Sequence, residues 1–515
     1  MGRDAFVETA RGRLARERGR VDKQAPFTVA LAYPSPYFVA MSSLGYQQIY
    51  KAIQAEPGMA CERVFLPDDA GGGPLAELPL SYESLRPLGD FPLIALSVAY
   101  ELELAGVVQL LAAAGVPALA RERHEGHPLV VTGGPLTFSN PLPLAAFADA
   151  IVMGEADSLA VRALGEARAA RTRGEALEAL ARLPHVFVPA LHGTEMPAIA
   201  RADDALLPAH STIVTPDTEL ADMFLVETER GCSRGCTYCV MRRSTNGGMR
   251  VVPAERILEL VPAGARRVGL VGAAVSDHPR IVDIVRALAA RGAEVGLSSL
   301  RPDRLSDDFV HALAAAGCRT LTTAMDGASE RLRALLDRHA RAAHLVAVAE
   351  RARAHGIPRL KLYLMLGVPT ETDADVDECA ALCRELSRVV PLALSVAPFC
   401  AKRNTPLDGQ PFAGIAEVQA RVARLRAGLR GRAVVRSTSA RLAWLEHVLA
   451  QGGVPEAEAL YRAVRAGGRF ADYRRAIDAR TSRTVRRKLF IVRASPAPGP
   501  KATRWLAPAP EEALA

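Results

Sequence analysis

Cys232, Cys236 and Cys239 stand close together in the run Glu-Arg-Gly-Cys-Ser-Arg-Gly-Cys-Thr-Tyr-Cys. Thiolates at this spacing can wrap one corner of a cubane iron–sulfur cluster. A structural or electron-transfer cluster of that type takes four thiolates, so three leave one iron open, and an open iron implies chemistry. Other uses of the three cysteines fit less well. A disulfide framework needs paired cysteines in an exported chain. A structural zinc site needs a fourth ligand nearby and usually two spaced pairs. Here the nearest following histidine is His278, and the loop holds no second pair.

The spacing, with an aromatic residue (Tyr238) before the last cysteine, resembles the signature of the radical S-adenosylmethionine (SAM) superfamily. The resemblance implies a [4Fe-4S] cluster on Cys232, Cys236 and Cys239, whose open iron takes the amino and carboxylate groups of SAM. It implies that one electron, from an external donor such as flavodoxin or ferredoxin, cleaves SAM to methionine and a 5′-deoxyadenosyl radical. The cofactors then carry the hard step and the protein orients them.

From about Val226 to Leu407 the order and spacing of strand ends resemble the same core. Gly272-Ala273-Ala274 stands where the family has a Gly-Gly-Glu-like loop for the SAM amino group; the acid is absent, which leaves backbone carbonyls to serve. Ser298 and Arg301 end the third strand, within reach of the SAM carboxylate or ribose. Asp326-Gly-Ala-Ser329-Glu330-Arg331-Leu-Arg333 matches the family's Glu-x-Gly-Ser-Glu-Arg-Leu-Arg, with a shorter acid at the ribose position. Gly367 lets the backbone approach the adenine, and Glu371 starts the next helix beside its positive end. Tyr238, Gly272, Ser298, Asp326, Gly367 and Glu371 are thus the cofactor-binding positions the resemblance marks. It marks no residue that exchanges hydrogen with substrate.

These residues need elements to position them. Phe224-Leu-Val-Glu-Thr reads as a strand entering the cluster loop, which puts the triad at the C-terminal edge of a sheet, where barrel enzymes keep their active sites. The strand–helix rhythm that follows implies a partial (β/α)6 TIM-type barrel. Upstream, Phe27–Ala32, Cys61–Leu66, Pro92–Ser97, Leu129–Thr132 and Ala150–Met153 are short apolar runs alternating with helical patterns at Gly45–Ala55 and Ala105–Ala113. That alternation argues for an α/β, Rossmann-like doubly wound sheet. Ligands of such sheets sit beyond the C-terminal strand ends, which here carry Gly133-Gly134-Pro135 and Gly154-Glu155-Ala156-Asp157.

The upstream segment is similar to the cobalamin-binding-type domain that precedes many radical SAM cores, on Ala32-Tyr33-Pro34, Met41-Ser-Ser-Leu-Gly45, Tyr100-Glu101, Gly133–Pro135 and Gly154-Glu155. It departs in lacking an Asp-x-His-x-x-Gly loop; Glu122-Arg-His124-Glu-Gly126 has the wrong acid and glycine spacing. Some relatives bind cobalamin without that histidine and others keep the sheet without the cofactor, so both outcomes stay open. The C-terminal segment resembles the extension of uncharacterised cobalamin-type radical SAM proteins, on Ser439-Ala440-Arg441, Leu449–Gly453 and Gly467–Phe470. Its helices are expected to close the open side of the barrel or to carry substrate contacts.

The division expected is an N-terminal helix (1–25), the Rossmann-like domain (26–188), a linker (189–220), the radical SAM core (221–430), a helical C-terminal domain (431–494) and a disordered Pro-rich tail (495–515). A chain of 515 residues has room for two or three cores. At 49% apolar and 23% charged residues it has the composition of a soluble globular protein. No apolar run approaches a membrane span, and the start lacks a basic-then-apolar export pattern, so a cytoplasmic location is expected.

The net charge of +8 is uneven: from Arg421 onward 20 basic residues face 7 acidic ones, a net +13 that leaves −5 on the rest. A basic tail suits nucleic acid. Arginine and alanine are abundant throughout, however, which reads as compositional bias, and nucleic acid is not the favoured partner. Cys379 and Cys383, at i and i+4, and Cys400 read as packing. Cys61 is the only cysteine before the triad, so the second cluster of a methylthiotransferase lacks ligands.

The expectation is a radical SAM enzyme that transfers methyl groups to carbon or phosphorus of an unknown substrate if cobalamin is bound. The alternatives are a cobalamin-independent rearrangement, RNA modification through the basic tail, and a non-catalytic iron–sulfur partner.

Overall fold

The computed structural model describes residues 2–242, 247–298 and 300–481. The tail expected at 495–515, and the last part of the C-terminal domain, lie outside the described residues.

Six strands form the first sheet: β1 (Phe27–Pro36), β2 (Met59–Leu66), β3 (Leu93–Ser97), β4 (Leu129–Gly133), β5 (Ala150–Val152) and β6 (Val186–Phe187). Their order is β2-β1-β3-β4-β5-β6, parallel except for the antiparallel β5–β6 edge. The apolar runs read from sequence become these strands because both faces are covered, so most residues of β1 to β5 are buried. The chain reverses its winding between β1 and β3, and ligands of doubly wound sheets bind at such a switch point. Ser43 caps the helix Leu44–Ala55 there by accepting from the Tyr46 amide, 3.4 Å. His124 is exposed in the loop before β4, at the opposite edge of the sheet from the strand ends.

Residues 189–220 form an irregular bridge held by isolated pairings, Gly154 with Ala200 and His210 with Val226. The second α/β unit then follows. β7 (Phe224–Glu227), a short hairpin of β8 (Glu229–Arg230) and β9 (Arg250–Val251), β10 (Arg267–Val271) and β11 (Glu294–Leu297) come first. Next are β12 (Leu321–Asp326), β13 (Leu360–Leu366), β14 (Leu392–Pro398) and β15 (Ala433–Ser437). Parallel pairing gives the orders β11-β10-β7 and β12-β13-β14-β15, and the bridge Leu300–Thr323 joins them into one curved wall.

Six of these strands are the expected partial barrel. β15 is a seventh, and it carries the sheet past residue 430, the boundary read from sequence. Its two-residue alternation of half-buried and exposed positions lacks the apolar run that announces a central strand.

The barrel helices cover one side of that wall. Leu360, Leu362, Leu364 and Leu366 of β13 pack with Val376, Cys379 and Cys383 of the helix Asp373–Val389. Cys379 and Cys383 are thereby accounted for as core.

The C-terminal helices Ala440–Gln451, Val454–Arg465 and Phe470–Thr481 do not close the barrel. Leu445, Leu449, Leu460, Val464 and Ile477 pack into the core on one face of the first sheet, beside Val107 and Leu111 of the helix Glu103–Ala113. Lys402, beyond β14, fastens the three parts, with its ammonium 2.6 Å from Glu101 and 2.7 Å from Glu446.

Asn140 secures the same junction. Its buried amide donates to the carbonyls of Ala450 (3.0 Å) and Gly452 (2.8 Å) at the end of a helix, whose last carbonyls lack intrahelical partners. Asn140→Ala should therefore destabilise the protein by about 1–3 kcal/mol. An unchanged thermal or denaturant midpoint would mean that water replaces the amide.

Candidate cluster site and the cavity beside it

The cluster loop follows β7 and the Glu229–Arg230 hairpin strand. Gly231 has φ +82°, and a Cβ there would lie 2.1 Å from the Gly248 carbonyl oxygen, so only glycine fits the turn into Cys232. The Thr237 amide donates to Leu336 O (3.1 Å), its hydroxyl to Leu335 O (3.2 Å), and the Cys236 thiol lies 3.7 Å from Asp337 O. These bonds lace the loop to the segment after the helix Glu330–Leu335.

Burial pushes all three thiols up, Cys239 to about 11. Cys232 and Cys236 add to the shift on Cys239, and Cys232 to that on Cys236, so the three thiols lie near enough to influence one another. Clustered, buried thiolates need a cationic centre, and a bound metal deprotonates its thiols outright. Among the described residues no three His, Cys, Asp or Glu side chains converge tightly enough for a single metal ion. A multi-iron cluster, which meets each thiolate at a separate iron, fits the donor set.

The positions marked by sequence fall into three pairs. The Tyr238 hydroxyl donates to Asp326 Oδ2 (2.7 Å), which also meets Arg338 Nε at 2.5 Å. Asp326 sits at φ +60° where the β12–β13 register shifts, and the irregularity aims its carboxylate at the cluster loop. Ser298 Oγ donates to Gly272 O at 3.1 Å, which ties the second and third strand ends together. The third pair does not join the others. Glu371 accepts from the Gly367 amide (2.6 Å) and from Arg421 (2.8 Å), with its side chain fully buried. The Cα side of Gly367 faces Ala413 and Val418. Gly367 and Glu371 thus hold the β13 loop against the helix Ile415–Gly428, apart from the other two pairs. Arg301, the other candidate on the third strand, is taken up by Asp277 (2.9 Å) and Asp303 (2.5 Å).

Two acids were missed from sequence. Glu229 accepts from the Ala274 amide (2.8 Å) and from the Thr228 hydroxyl, and it packs on the bare Cα of Gly272. The loop that lacks its own acid therefore receives one from another strand. Burial pushes Glu229 up to about 7. Asp277 gathers Arg234, Arg301 and Arg304. The proximity of Glu229 to Cys232 in sequence was the one available signal.

Beside the loop lies a mostly apolar cavity of ≈ 370 Å³. Its walls include Leu96, Val131 and Phe138 from the first sheet, and Met241 and Gly272 from the barrel side. Arg230 crosses from one side to the other. Its guanidinium meets Glu227 (2.7 and 2.9 Å), Asp157 (2.8 Å) and Glu155 (3.5 Å). Burial alone would lower its pKa, but the Glu227 and Asp157 carboxylates hold it raised. The apolar walls suit the face of a macrocycle such as cobalamin, and among the described residues no histidine lines the cavity to ligate its metal.

Two family descriptions match the chain: "Radical SAM proteins, N-terminal" over residues 45–189 and "Radical SAM superfamily" over 226–383. The uncharacterised protein MJ0966 of Methanocaldococcus jannaschii is 25% identical over 343 residues, covering 64% of this chain and 71% of that one. Among solved structures, the cobalamin-dependent SAM radical enzyme OxsB, with aqua-cobalamin and SAM bound, superposes with TM-score 0.47 and 11% identity. That match covers 78% of this chain but only 55% of OxsB. SuiB of Streptococcus suis, bound to SAM, gives TM-score 0.31 at 13% identity, over 41% of this chain and 48% of its own.

Two outcomes follow from the buried carboxylates. Arg421→Ala strands the Glu371 charge and should cost about 3–5 kcal/mol; Glu371→Gln with Arg421→Met should recover part of the lost melting temperature. For Glu229 the folded pKa, about 7, exceeds the ordinary value of 4.5. Its contribution to stability is then full below about pH 4.5 and lost as the pH rises through 7. Glu229→Gln should narrow the difference in unfolding free energy between pH 5 and pH 8 by about 2–3 kcal/mol. An unchanged difference would show that the carboxyl is ionised throughout.

Proposed function

The chain belongs to the radical SAM superfamily, and from that premise we propose that it is a cobalamin-dependent methyltransferase acting on carbon or phosphorus of its substrate. Cys232, Cys236 and Cys239 would hold a [4Fe-4S] cluster with SAM on its open iron. When bound, cluster and SAM supply a 5′-deoxyadenosyl radical, and cobalamin supplies a methyl group.

The chain's own residues do the positioning. Tyr238, Asp326 and Arg338 form one flank of the cluster loop, while Ser298, Gly272 and Glu229 form the other. Gly272 also lines the cavity. The observation that carries the reading is this shared wall: one cavity touches both the strand ends of the first sheet, where such sheets bind ligands, and the loop beside the cysteines. A methyl donor there would lie next to the radical source. The apolar lining would keep water from both.

A second reading is a cobalamin-independent rearrangement in which the largely apolar cavity takes part of the substrate. RNA modification has less support. Several tail arginines are spent on intramolecular pairs, including Arg421 with Glu417, Arg424 with Asp377 and Arg474 with Asp478. No helix among the described residues is long and apolar enough to cross a membrane.

Anaerobic purification with and without added cobalamin, followed by iron, sulfide and corrinoid analysis, tests the proposal. About four irons and one corrinoid per chain are expected, with most of the iron lost in Cys236→Ala. Full iron without corrinoid would transfer support to the rearrangement. Full iron retained by Cys236→Ala would remove the proposed ligand set.

A further inference from the structure

Among the described residues, two cations on the inner wall of the barrel, Lys361 and Arg436, have no ion-pair partner. On β13 the leucines point into the helical layer, so Lys361, Tyr363 and Met365 point the other way, into the lumen. Register places Tyr363 beside Ser395 of β14, and Ser395 beside Arg436 of β15. Paired residues share a face, so a phenol, a hydroxyl and a guanidinium form one row, each strand about 4.8 Å from the next. Lys361 lies one pleat below. Its ammonium is 3.3 Å from the Tyr363 hydroxyl and 4.9 Å from the ring centroid.

Among the described residues neither Lys361 nor Arg436 has an ion-pair partner, and Tyr363 is 37% exposed on a strand with neighbours on both sides. Closed barrels fill such positions with packed apolar side chains. This lumen is left polar and open. Its height is also informative. Tyr363 is paired with Ala324, two residues before Asp326, whose carboxylate takes the Tyr238 hydroxyl at the cluster loop. The row therefore sits one layer beneath the cluster site.

We infer that Lys361, Tyr363, Ser395 and Arg436 bind an oxyanion of a small-molecule substrate, a carboxylate or a phosphate, and hold the rest of it under the cluster loop. The two cations supply charge-assisted hydrogen bonds, which are the strong ones, and the guanidinium offers a planar fork for two oxygens. The hydroxyls of Tyr363 and Ser395 complete the donor set. That the anion belongs to the substrate rests on the radical SAM reading above; the anion site itself does not.

Calorimetric titration of the purified protein with inorganic phosphate and, separately, with malonate tests the site, and iron content is measured on the same preparations. Binding of at least one probe is expected. Lys361→Met and Arg436→Met should each weaken it roughly tenfold or more, the loss of one hydrogen bond to a charged group. Arg353→Met, on the outer face of the helix Ala342–Ala354, should leave it unchanged. Tighter phosphate binding identifies a phosphorylated substrate, and tighter malonate binding a carboxylated one. Failure of both probes to bind, or equal binding in all three variants, overturns the inference. Low iron with variant-sensitive anion binding would instead count against the cluster and leave the anion site standing.

Discussion

Arg230 is two residues from the first cluster cysteine, yet its partners Glu155 and Asp157 belong to the other domain. A guanidinium with 14% of its side chain exposed cannot be stranded cheaply. Glu227 holds the same guanidinium from within the barrel unit, so the start of the cluster loop is tied to the Gly154–Asp157 turn through one shared side chain. Arg250, at 2.5 Å from Glu155 and 2.9 Å from Asp204, repeats the bond from the other strand of the hairpin. The cavity is lined by members of this lattice, Glu155, Asp157, Glu227 and Arg230. Its two walls come from different domains but are held by one set of charges.

Around that seam the molecule separates tasks by environment. Thiols, carboxylates and hydroxyls converge where strands of the two units end. Leucine, valine and cysteine fill the layers between strands and helices. Glu229 illustrates how closely the two kinds of region abut, since it is an acid deep enough to resist ionisation, placed three residues from Cys232. Lys402, between Glu101 and Glu446, shows the same economy at the junction of three chain segments.

The chain discloses its local features plainly. The triad, its aromatic neighbour, the parallel strands of both units and the helix that starts at Leu44 are each encoded in a few consecutive residues. What escaped is what depends on long-range contact. The pairing of Glu371 with Arg421 left no sign because the two are fifty residues apart. Glu229 had no assignment because a carboxylate folded over Gly272 leaves no mark in the intervening sequence. β15 was hidden because an edge strand does not need an apolar run. The C-terminal helices read as a barrel lid or a carrier of substrate contacts because an amphipathic face says that it is covered and not by what.

That docking sets an order of events at the ribosome. The first sheet emerges early with Ile94, Leu96, Val130 and Ile151 on the face that the last helices will cover. More than two hundred residues of barrel separate it from those helices. Until they arrive the face is only partly covered, and newly made apolar surface of that kind draws chaperones or other nascent chains. The helices also contribute contacts of very large sequence separation, which slow folding. Completion of the N-terminal domain is thereby tied to completion of the barrel, so an interrupted chain exposes its failure through an uncovered sheet.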